Sequence, residues 1–567
     1  MSEHKKRTAT VLRLHAIAAA LALCGGSAAA AELDTGNTDF KVRWDNTVRY
    51  NLGVRMEGQD PRILASTTYD ESDAKFGKHD IVNNRLDLLS EFDLNYKNKY
   101  GLRVSAAAWY DHAYHNHTVT SPARGVTSYF GDQYNSKVKR YLNGPSGEFL
   151  DAFVWSNFNL GEAPVNVKLG RHAIIWGEAL FLSTHAISYS QAPIDAVKLS
   201  GSPGAEIKET TLPLNQLSFK AQVTNDLTLA GQYFLEWKPT RAPNSGAFLT
   251  GADTAPNVDR LGITPTFAAT NVAPVTPRNR GNWGLSARLN VDAIGSTVGA
   301  YYREFDDYNP ETGIQFRSFV PGAPLPASFR FVYPKNTQLL GFSLARPIGP
   351  VSFGSEISYR KNAALNTVGS YSTVANNLET GARGDTVHAL INGVYLLPKT
   401  ALWETGALQA ELAYSHLVKV TTNEQLFKGV GHVGCTKLNT GGVPAGTPGD
   451  ESDACSSRDF MQAVVVFVPQ YLGVLPSWDL SVPFSVSYGI KGVAPSGSGG
   501  FEKLLTWSIG ANLTYQSKHE FSLRYADIIA PSKYNAAGTT LIGGGASGGS
   551  IGATDRGWLV LTYKTAF

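Results

Sequence analysis

The stretch from Phe40 to Met56 alternates between apolar and polar side chains, and this alternation constrains the fold more than any other feature. Its even positions are almost all apolar, and its odd positions are polar, charged or glycine, including Lys41, Arg43, Arg49 and Arg55. Successive side chains of a β-strand point to opposite faces, so a period of two over this length predicts a strand. One face needs hydrocarbon and the other needs water. A closed barrel in a membrane provides both and pairs every backbone polar group.

The first residues have the pattern of an export signal. Basic residues at 5–7 precede an apolar run over 16–24, and three alanines at 29–31 form a small-residue cleavage site. The apolar run is far shorter than the roughly 20 residues that a membrane-spanning helix needs. We therefore predict a cleaved signal peptide over residues 1–31 and a mature barrel over residues 32–567.

Composition excludes several other classes of protein. Without the leader, the chain has 46 basic and 46 acidic residues, so no excess of positive charge favours nucleic acid as a partner. No later segment has 18 consecutive apolar residues, and no stretch keeps a helical period. The mean hydropathy of −0.15 argues against a helical membrane protein but is compatible with a barrel whose lumen and loops are polar.

Two cysteines remain after removal of the leader. Cys24 belongs to the leader, and the bulky Leu23 before it does not fit a lipid-attachment site. In an oxidising periplasm, Cys435 and Cys455 are expected to form a disulfide within an exposed loop. Two thiols alone do not make a metal site.

Pairs of alternating segments joined by short turns follow one another along the chain. Eight such hairpins, with turns near 97–99, 161–164, 224–226, 292–295, 347–350, 398–406, 475–477 and 516–519, join an opening and a closing strand. The sum is about 18 antiparallel strands, although 387–396 and 461–474 alternate poorly and leave 16 strands possible. The long connections all fall on the other side of the barrel, which we expect to be extracellular.

The last strand carries an outer-membrane signal. Leu559, Leu561, Tyr563 and Phe567 share one face, and the chain ends at the aromatic ring of Phe567. Such a strand resembles the C-terminal signal that the barrel assembly machinery reads in its clients. We therefore expect outer-membrane lipid to surround the protein, in a Gram-negative bacterium.

The third long loop, residues 176–213, differs from its neighbours because prolines, glycines and aliphatic residues alternate along it. This composition favours a packed loop over a mobile tip. In porin-like barrels a third loop folds inward and narrows the lumen. The expected role of residues 176–213 is therefore a constriction or a plug.

Several short motifs in order resemble a known family. They are Leu169-Gly170-Arg171, Trp176-Gly177-Glu178, Pro193-x-Asp195, Pro203-Gly204, Lys208-Glu209, Leu212-Pro213 and Tyr233-x-x-Glu236-Trp237-x-Pro239. Together they resemble the proteobacterial outer-membrane barrels known as domain of unknown function 1302. The resemblance implies a barrel linked to an RND-type transporter and a periplasmic lipid-carrier-like protein, and to the use of steroids or other hydrophobic compounds. Cysteines that members often carry after the Glu-Trp pair are absent between Trp237 and Trp283.

The predicted function is a porin-like channel for small hydrophobic or amphipathic solutes. Loop charges of both signs would line the constriction: Glu178, Asp195, Glu206, Lys208 and Glu209. On the wall, the four basic residues of the opening strand would face Asp87, Glu91 and Asp93 of the next strand. The alternative is that these opposed charges neutralise one another in a plugged lumen.

Two other functions are weighed against the channel. A structural or adhesive barrel, or a transporter partner, would have long loops but no open pore. An outer-membrane enzyme that modifies lipids would need a serine and a histidine at the rim. The G-x-S-x-G pattern at 545–549 lies in a glycine run without the required elbow, and the histidines at 112, 115 and 117 are typical of a solvated loop. We therefore predict no catalytic residues, metal site or cofactor.

Overall fold

The computed structural model describes residues 31–435, 447–497, 499–544 and 550–567. It forms a closed antiparallel barrel of 18 strands. In chain order, β1 to β18 are Phe40–Arg55, Ile81–Tyr96, Tyr100–Asp111, Ser146–Leu160, Ala163–His172, Leu214–Gln222, Leu227–Phe234, Trp283–Val291, Ser296–Phe305, Thr337–Ile348, Val351–Ala364, Arg383–Leu396, Thr405–Thr422, Asp459–Leu475, the pair Trp478–Ser481 and Phe484–Lys491, Leu505–Tyr515, His519–Ile529, and Trp558–Ala566. The prediction of 18 strands is confirmed, and the alternative of 16 is wrong.

The first and last strands close the ring. β18 pairs with β1 from Thr47 to Arg55, and the backbones of Phe567 and Asn46 exchange two hydrogen bonds at the end of the seam, of 2.7 and 2.8 Å. Below that point the short strand Ala31–Leu33 pairs with β1 instead. The rest of the predicted leader, residues 1–30, lies outside the described residues.

The two ends of the barrel differ. At one end, here called the turn end, eight short connections join the strands at the predicted positions. At the other, the loop end, there are nine long loops; loops 1 to 9 span 56–80, 112–145, 173–213, 235–282, 306–336, 365–382, 423–458, 492–504 and 530–557.

The loops contain only short helices and strands. The helices α1 to α6 are Pro61–Leu64, Asp70–Ala74, Ser136–Val138, Ala196–Gly201, Ile207–Thr210 and Thr373–Asn376. The π-turn is Lys139–Asn143, and the 3₁₀ turns are His112–Tyr114, Phe130–Asp132, Ser183–His185, Asp292–Ile294, Glu424–Leu426, Val433–Cys435, Glu451–Asp453 and Ile551–Ala553. The loop strands are Arg260–Thr264, Phe267–Asn271, Ile314–Phe319, Pro326–Arg330, Ser370–Ser372, Ser532–Tyr534 and Leu541–Gly544. No helix in the described part of the chain has the length and apolar character needed to cross a membrane.

Exposure along the strands is the reverse of that in a soluble protein. On β1, Trp44 is 50% exposed on the outer face, whereas Arg49 and Asn51 are 1% and 0% exposed inside the ring. Phe342 and Ile357 are likewise about half exposed on the outside. A continuous apolar outer surface would be costly in water and is favourable in lipid. The predicted transmembrane barrel is therefore confirmed.

The poor alternation over 387–396, in β12, has a packing reason. Leu390 of β12 and Ala413 of β13 point into the ring and are fully buried against Ala186 of loop 3. Apolar side chains on the lumen side mask the alternation, because the lumen of this barrel contains protein as well as water.

A hydrophobic core joins the long loops at the loop end. Tyr129, Tyr134, Phe248 and Phe329 are buried there, and Trp558 at the start of β18 packs against Phe248 with ring centroids 6.1 Å apart. Loops 1, 2, 4 and 5 thus form a packed cap. Trp237 of loop 4 is buried beside this cap, in a cluster with Tyr308 and Tyr333 of loop 5.

Candidate functional site

Loop 3 crosses the interior of the barrel. Residues 176–191, the first segment, contact inward side chains of β8 to β13. Residues 195–210, the second segment, contact inward side chains of β18 and β1 to β4, partly through loop 4. These two groups of strands face each other across a ring of 18, so loop 3 reaches from one wall to the opposite one. The predicted inward fold of this loop is confirmed.

Two wall carboxylates hold the first segment by its backbone. Glu356 of β11 accepts the N–H groups of residues 178–179 and of Ile187 (2.7 Å). Glu411 of β13 accepts the N–H groups of residues 180–182, at 2.6, 3.0 and 2.5 Å. Both carboxylates are nearly inaccessible to solvent. Six backbone donors therefore supply the solvation that these two buried charges lack.

Gly177 makes this contact possible. Its φ is +101°, and a β-carbon at this position would overlap the Glu356 carboxylate. Only glycine adopts such a conformation readily and lets the backbone approach a carboxylate so closely. The Trp-Gly-Glu motif therefore has a structural reason at its central residue.

Two buried arginines satisfy the carbonyl groups of the same segment. Arg303 of β9 donates to three carbonyls between residues 187 and 190, at 2.7 to 2.8 Å. Arg360 of β11 donates to the carbonyl of Ala186 (2.9 Å), and its guanidinium lies 4.2 Å from the ring centre of Tyr189. The two arginines balance the two carboxylates in charge. The first segment is thus fixed from both sides of its peptide groups.

The second segment is held by side-chain ion pairs. Arg49 of β1 forms two hydrogen bonds with Glu209, of 2.7 and 2.9 Å, and a third with Ser202 (3.1 Å). Ser202 donates in turn to Asp87 of β2 (2.6 Å), and Lys198 lies 3.7 Å from Glu209. All five side chains are buried. Such a fork of bonds between Arg49 and Glu209 is geometrically specific as well as strong.

Capping explains the local shape of the second segment. Asp195 accepts the N–H of Lys198 (3.0 Å) at the start of α4. Glu206 and Glu209 form a capping box around α5, in which Glu209 accepts the N–H of Glu206 (3.0 Å). Glu209 therefore both caps a helix and binds the wall.

The pKa values of the buried loop groups follow from these contacts. Burial lowers the pKa of Lys198, although Asp87 and Glu209 act against this effect. Burial alone would raise the pKa of Glu209, but the hydrogen bonds and charge of Arg49 outweigh it, and the net pKa is lowered. Glu209 is thus ionised at neutral pH.

The turn-end side of loop 3 faces a space of about 450 Å³ lined by charges of both signs. Lys208 reaches Glu91 of β2 (2.6 Å), and Lys564 of β18 reaches Glu206 (2.9 Å). Arg103 of β3 also contacts Glu91, and it lies 3.6 Å from Asp93 and 3.5 Å from Asp151. These charges are partly exposed to the space, unlike those of the Arg49 cluster.

Loop 3 is also tied to loop 4. Arg241 of loop 4 contacts Asp195 and forms two hydrogen bonds with Glu148 of β4, of 3.0 and 2.7 Å. Arg241 therefore connects the second segment to the rim of the barrel at the loop end.

The structure places the predicted wall charges in different surroundings. Arg49 is within 3.8 Å of Asp87. Arg43 instead pairs with Asp45 on its own strand (2.6 Å), although Asp93 lies opposite in register. Lys41 is exposed at the turn end, opposite an uncharged residue.

Two further predicted residues lie away from the Arg49 cluster. Arg55 pairs with Asp73 of loop 1 (2.7 Å) rather than with β2, because the strand has already reached the loop end. Glu178 pairs with Arg288 of β8 (3.1 Å) on the far wall. The structure thus brings Arg49, Asp87, Glu91, Glu206, Lys208 and Glu209 together, with Asp195 at the adjacent link to loop 4.

Sequence reasoning missed the anchors of the first segment. Glu356, Glu411, Arg303 and Arg360 are charged residues at inward positions of their strands, and all four are buried. A charge at an inward strand position is the signal that the sequence offers, whereas its burial is visible only in the structure. The partners themselves are backbone groups about 100 to 230 residues away and leave no trace in the sequence.

The remaining candidate sites either have structural contacts or lie outside the described residues. Cys435 and Cys455 are joined in a disulfide, with 5.8 Å between their Cα atoms. His117 lies 3.0 Å from the side-chain oxygen of Asn143. The G-x-S-x-G pattern at 545–549 lies outside the described residues. In the part of the chain that is described, no group of three or more His, Cys, Asp or Glu side chains is arranged to hold a metal ion.

The apolar outer surface, the polar lumen and the loop across it define a transmembrane β-barrel of the outer-membrane type. The family model described as protein of unknown function (DUF1302) matches residues 11–567, and the chain belongs to this family. The resemblance noted from the motifs is thereby confirmed. A search of curated proteins gives no match.

Several solved structures are similar over nearly their whole length. OccAB2 from Acinetobacter baumannii shares 10% sequence identity, with 93% of this chain and 98% of that chain covered and a TM-score of 0.41. A BenF-like porin from Pseudomonas fluorescens shares 10% identity, with 93% and 99% covered and a TM-score of 0.40. The outer membrane channel DcaP of Acinetobacter baumannii shares 11% identity, with 95% and 100% covered and a TM-score of 0.34.

Proposed function

We propose that this protein is an outer-membrane channel that passes small hydrophobic or amphipathic solutes through a lumen narrowed by loop 3. The observation that carries the proposal is the attachment of loop 3 to opposite walls in the middle of the barrel. Backbone bonds to Glu356 and Glu411 fix one end, and the Arg49–Glu209 pair fixes the other. A loop fixed in this way has the rigidity that a selectivity constriction needs.

Charges beside the constriction support selection among solutes. Lys208, Arg103 and Lys564 stand beside Glu91 and Glu206 around the turn-end space. A lumen with both signs of charge orients polar water and solute groups as they pass. The alternative interpretation, charges that only neutralise one another, fits the buried Arg49 cluster better than this exposed set.

The solute class and the partners rest on the family resemblance. Barrels of this family are linked to steroids and other hydrophobic compounds, to an RND-type transporter and to a periplasmic lipid-carrier-like protein. In this proposal the carrier receives the solute at the turn end, which faces the periplasm. The location in the outer membrane of a Gram-negative bacterium belongs to the same proposal.

A barrel without an open pore is the second candidate. The packed cap formed by loops 1, 2, 4 and 5 favours it, since a cap with its own core offers a fixed surface to another cell or protein. This candidate predicts no solute flux. No described side-chain arrangement favours an enzyme over these two.

Flux into liposomes tests the proposal. The full mature protein is reconstituted, and swelling is followed with neutral, anionic and cationic solutes of similar size. The channel predicts swelling above that of protein-free liposomes, with rates that depend on solute charge. If neither the native protein nor a variant with loop 3 shortened admits any solute, the channel is rejected.

A further inference from the structure

A second concave site lies at the loop end, outside the lumen contacts described above. It is a cavity of about 730 Å³ where β4, β5 and the end of loop 3 meet loops 2, 4 and 5. Phe149 of β4 is part of its lining and is 62% exposed on the outer side of the barrel. The cavity therefore opens near the level where the strands leave the membrane. Its volume is within the range typical of small-molecule sites.

The charged lining of this cavity is strongly unbalanced. It contains five cations, Lys137, Arg140, Arg171, Lys238 and Arg241, and a single acid, Glu148. Glu148 is already bound to Arg241. Among the described residues, no carboxylate lies within 4.0 Å of the charged groups of Lys137, Arg140 or Arg171, whereas Lys238 pairs with Glu236 outside the cavity.

Lys137 and Arg140 keep part of their surface exposed to solvent. The pKa of Lys137 is lowered, first by burial and second by the charge of Arg241. Cations that repel one another in a partly buried site are stabilised when an anion binds between them.

The rest of the lining combines apolar and aromatic side chains with the polar residues Thr240, Asn257, Asn271 and Thr276. Tyr141 lies between two guanidinium groups, with Arg241 3.8 Å and Arg140 5.1 Å from its ring centre. Leu212, Phe331 and Tyr333 contribute further apolar surface. A site with a mainly apolar wall and a few convergent cations suits a ligand that combines an apolar body with one anionic group.

We propose that this cavity binds an amphipathic organic anion, a carboxylate, sulfonate or sulfate on an aromatic or alicyclic body. The anionic group sits between Lys137 and Arg140, and the body lies against Tyr141 and Phe331. The role of this cavity as the first binding step of transport rests on the proposed function. The binding of the anion itself does not depend on conduction.

Arg241 gives the site a route to the constriction. The same guanidinium contacts Glu148 in the cavity and Asp195 of loop 3. Arg241 therefore connects the wall of the cavity to the second segment of loop 3.

An anionic lipid of the outer leaflet has the same charge chemistry as a free solute, so the test must separate the two sources. The full mature protein is placed in nanodiscs of phosphatidylcholine, with and without lipid A. Isothermal titration calorimetry then measures the binding of 2-naphthoate, of its neutral analogue 2-naphthylmethanol, and of inorganic phosphate.

The proposal predicts that 2-naphthoate binds without lipid A and at least tenfold more tightly than 2-naphthylmethanol or phosphate. The variant Lys137→Met/Arg140→Gln is expected to bind 2-naphthoate at least tenfold more weakly than the native protein, since each cation contributes a charge-assisted contact. The control Lys503→Met/Arg346→Gln removes the same charge at exposed positions far from the cavity and is expected to bind like the native protein. Heat-modified gel mobility confirms that each variant is folded.

If the double variant does not fold, the single variant Lys137→Met is tested instead. The Lys137 ammonium makes no hydrogen bond to another described residue, so this change should not disturb the fold. Equal binding of 2-naphthoate and its neutral analogue, or unchanged binding in the folded variant, would overturn the proposal. A heat of binding that appears only in nanodiscs with lipid A would assign the cavity to a lipid. This result would also overturn the proposal. Binding of 2-naphthoate without any flux would reject the channel and leave this site standing.

Discussion

The two segments of loop 3 are attached to opposite walls by different chemistry. The first segment, residues 176–191, is bound mainly through its backbone, with Glu356 and Glu411 at its N–H groups and Arg303 and Arg360 at its carbonyl groups. The second segment, residues 195–210, is bound through charged side chains, of which Glu209 is the centre. Backbone bonds fix where the chain runs, whereas side-chain pairs fix only where single groups lie.

This difference indicates which part of the loop sets the dimensions of the lumen. A backbone held by six N–H and five C=O bonds cannot shift by a fraction of an ångström without losing several of them. A segment held by long side chains can move while those side chains follow. We therefore expect the first segment to be the rigid edge of the constriction and the second to be the adjustable one.

The largest effect is expected from the anchors of the first segment. The variant Glu356→Gln/Glu411→Gln keeps the shape of both side chains but removes the charge from six hydrogen bonds. At about 1 kcal/mol for each bond, we expect the free energy of unfolding, measured in guanidinium, to be roughly 5 kcal/mol lower than that of the native protein. Hydrogen exchange is expected to rise in residues 176–191 and to stay unchanged in residues 195–210.

A matched control is Glu404→Gln. Glu404 also accepts a backbone N–H, that of Leu472, but at an exposed turn. We expect this change to have no measurable effect on stability. Equal exchange in both segments of the Glu356→Gln/Glu411→Gln variant would contradict the division of loop 3 into two units.

The next largest effect is expected from Arg49→Met in the second segment. This change leaves the buried carboxylate Glu209 without its main partner, and breaking one side of a buried pair typically costs about 3–5 kcal/mol. Because Lys198 remains 3.7 Å from Glu209, we expect about 3 kcal/mol. Exchange should now rise in residues 195–210 only.

A double variant sharpens this prediction. Replacing both partners, Arg49→Met/Glu209→Met, removes the unpaired charge together with its cause. We expect stability within about 1–2 kcal/mol of the native value. If the double variant is less stable than Arg49→Met alone, the stability lost in Arg49→Met comes from the missing ion pair and not from the unpaired charge of Glu209.

Acid is expected to act on the second segment with a smaller effect. The folded pKa of Glu209 is lowered, so its stabilising contribution is present above the unfolded pKa of about 4.3 and is lost as the pH falls through the lower, folded pKa. Hydrogen exchange in residues 195–210 should therefore increase below about pH 4, after correction for the intrinsic rate. The variant Glu209→Gln should lack this pH dependence. Retention of the full dependence in that variant would assign it to another group.

The smallest effect is expected from Lys208→Met. This ammonium is 43% exposed and pairs with Glu91 at the edge of the turn-end space. Exposed pairs contribute about 0–1 kcal/mol, and salt screens them. Stability should therefore change by less than about 1 kcal/mol, while the anion-to-cation permeability ratio should fall because a positive charge is lost from the lining. A large loss of stability would show that the Lys208–Glu91 pair contributes as much to stability as the Arg49 cluster.

The sequence was sufficient for the wall of the barrel. Alternation in β1 predicts its lipid and lumen faces, and turn residues predict all eight short connections, because both depend on local rules of period and turn chemistry. The same rules fail where Leu390 and Ala413 face loop 3, since their neighbour there is protein and not water.

The site was predictable only in part. The acidic and basic residues of the second segment could be selected from sequence because their own side chains make the contacts. Their partners could not be, and Arg43 shows the reason: it prefers Asp45 on its own strand to Asp93 opposite. The anchors of the first segment bind backbone, so no residue type in loop 3 reveals them.

The central claim is that loop 3 narrows the lumen, and single-channel conductance in planar bilayers tests it most directly. The native protein is compared with a variant in which residues 174–212 are replaced by four Gly/Ser residues, enough to join β5 to β6 as a short hairpin. The account predicts a conductance several times that of the native protein and weaker selectivity for charge. Equal conductance in two folded proteins would contradict it.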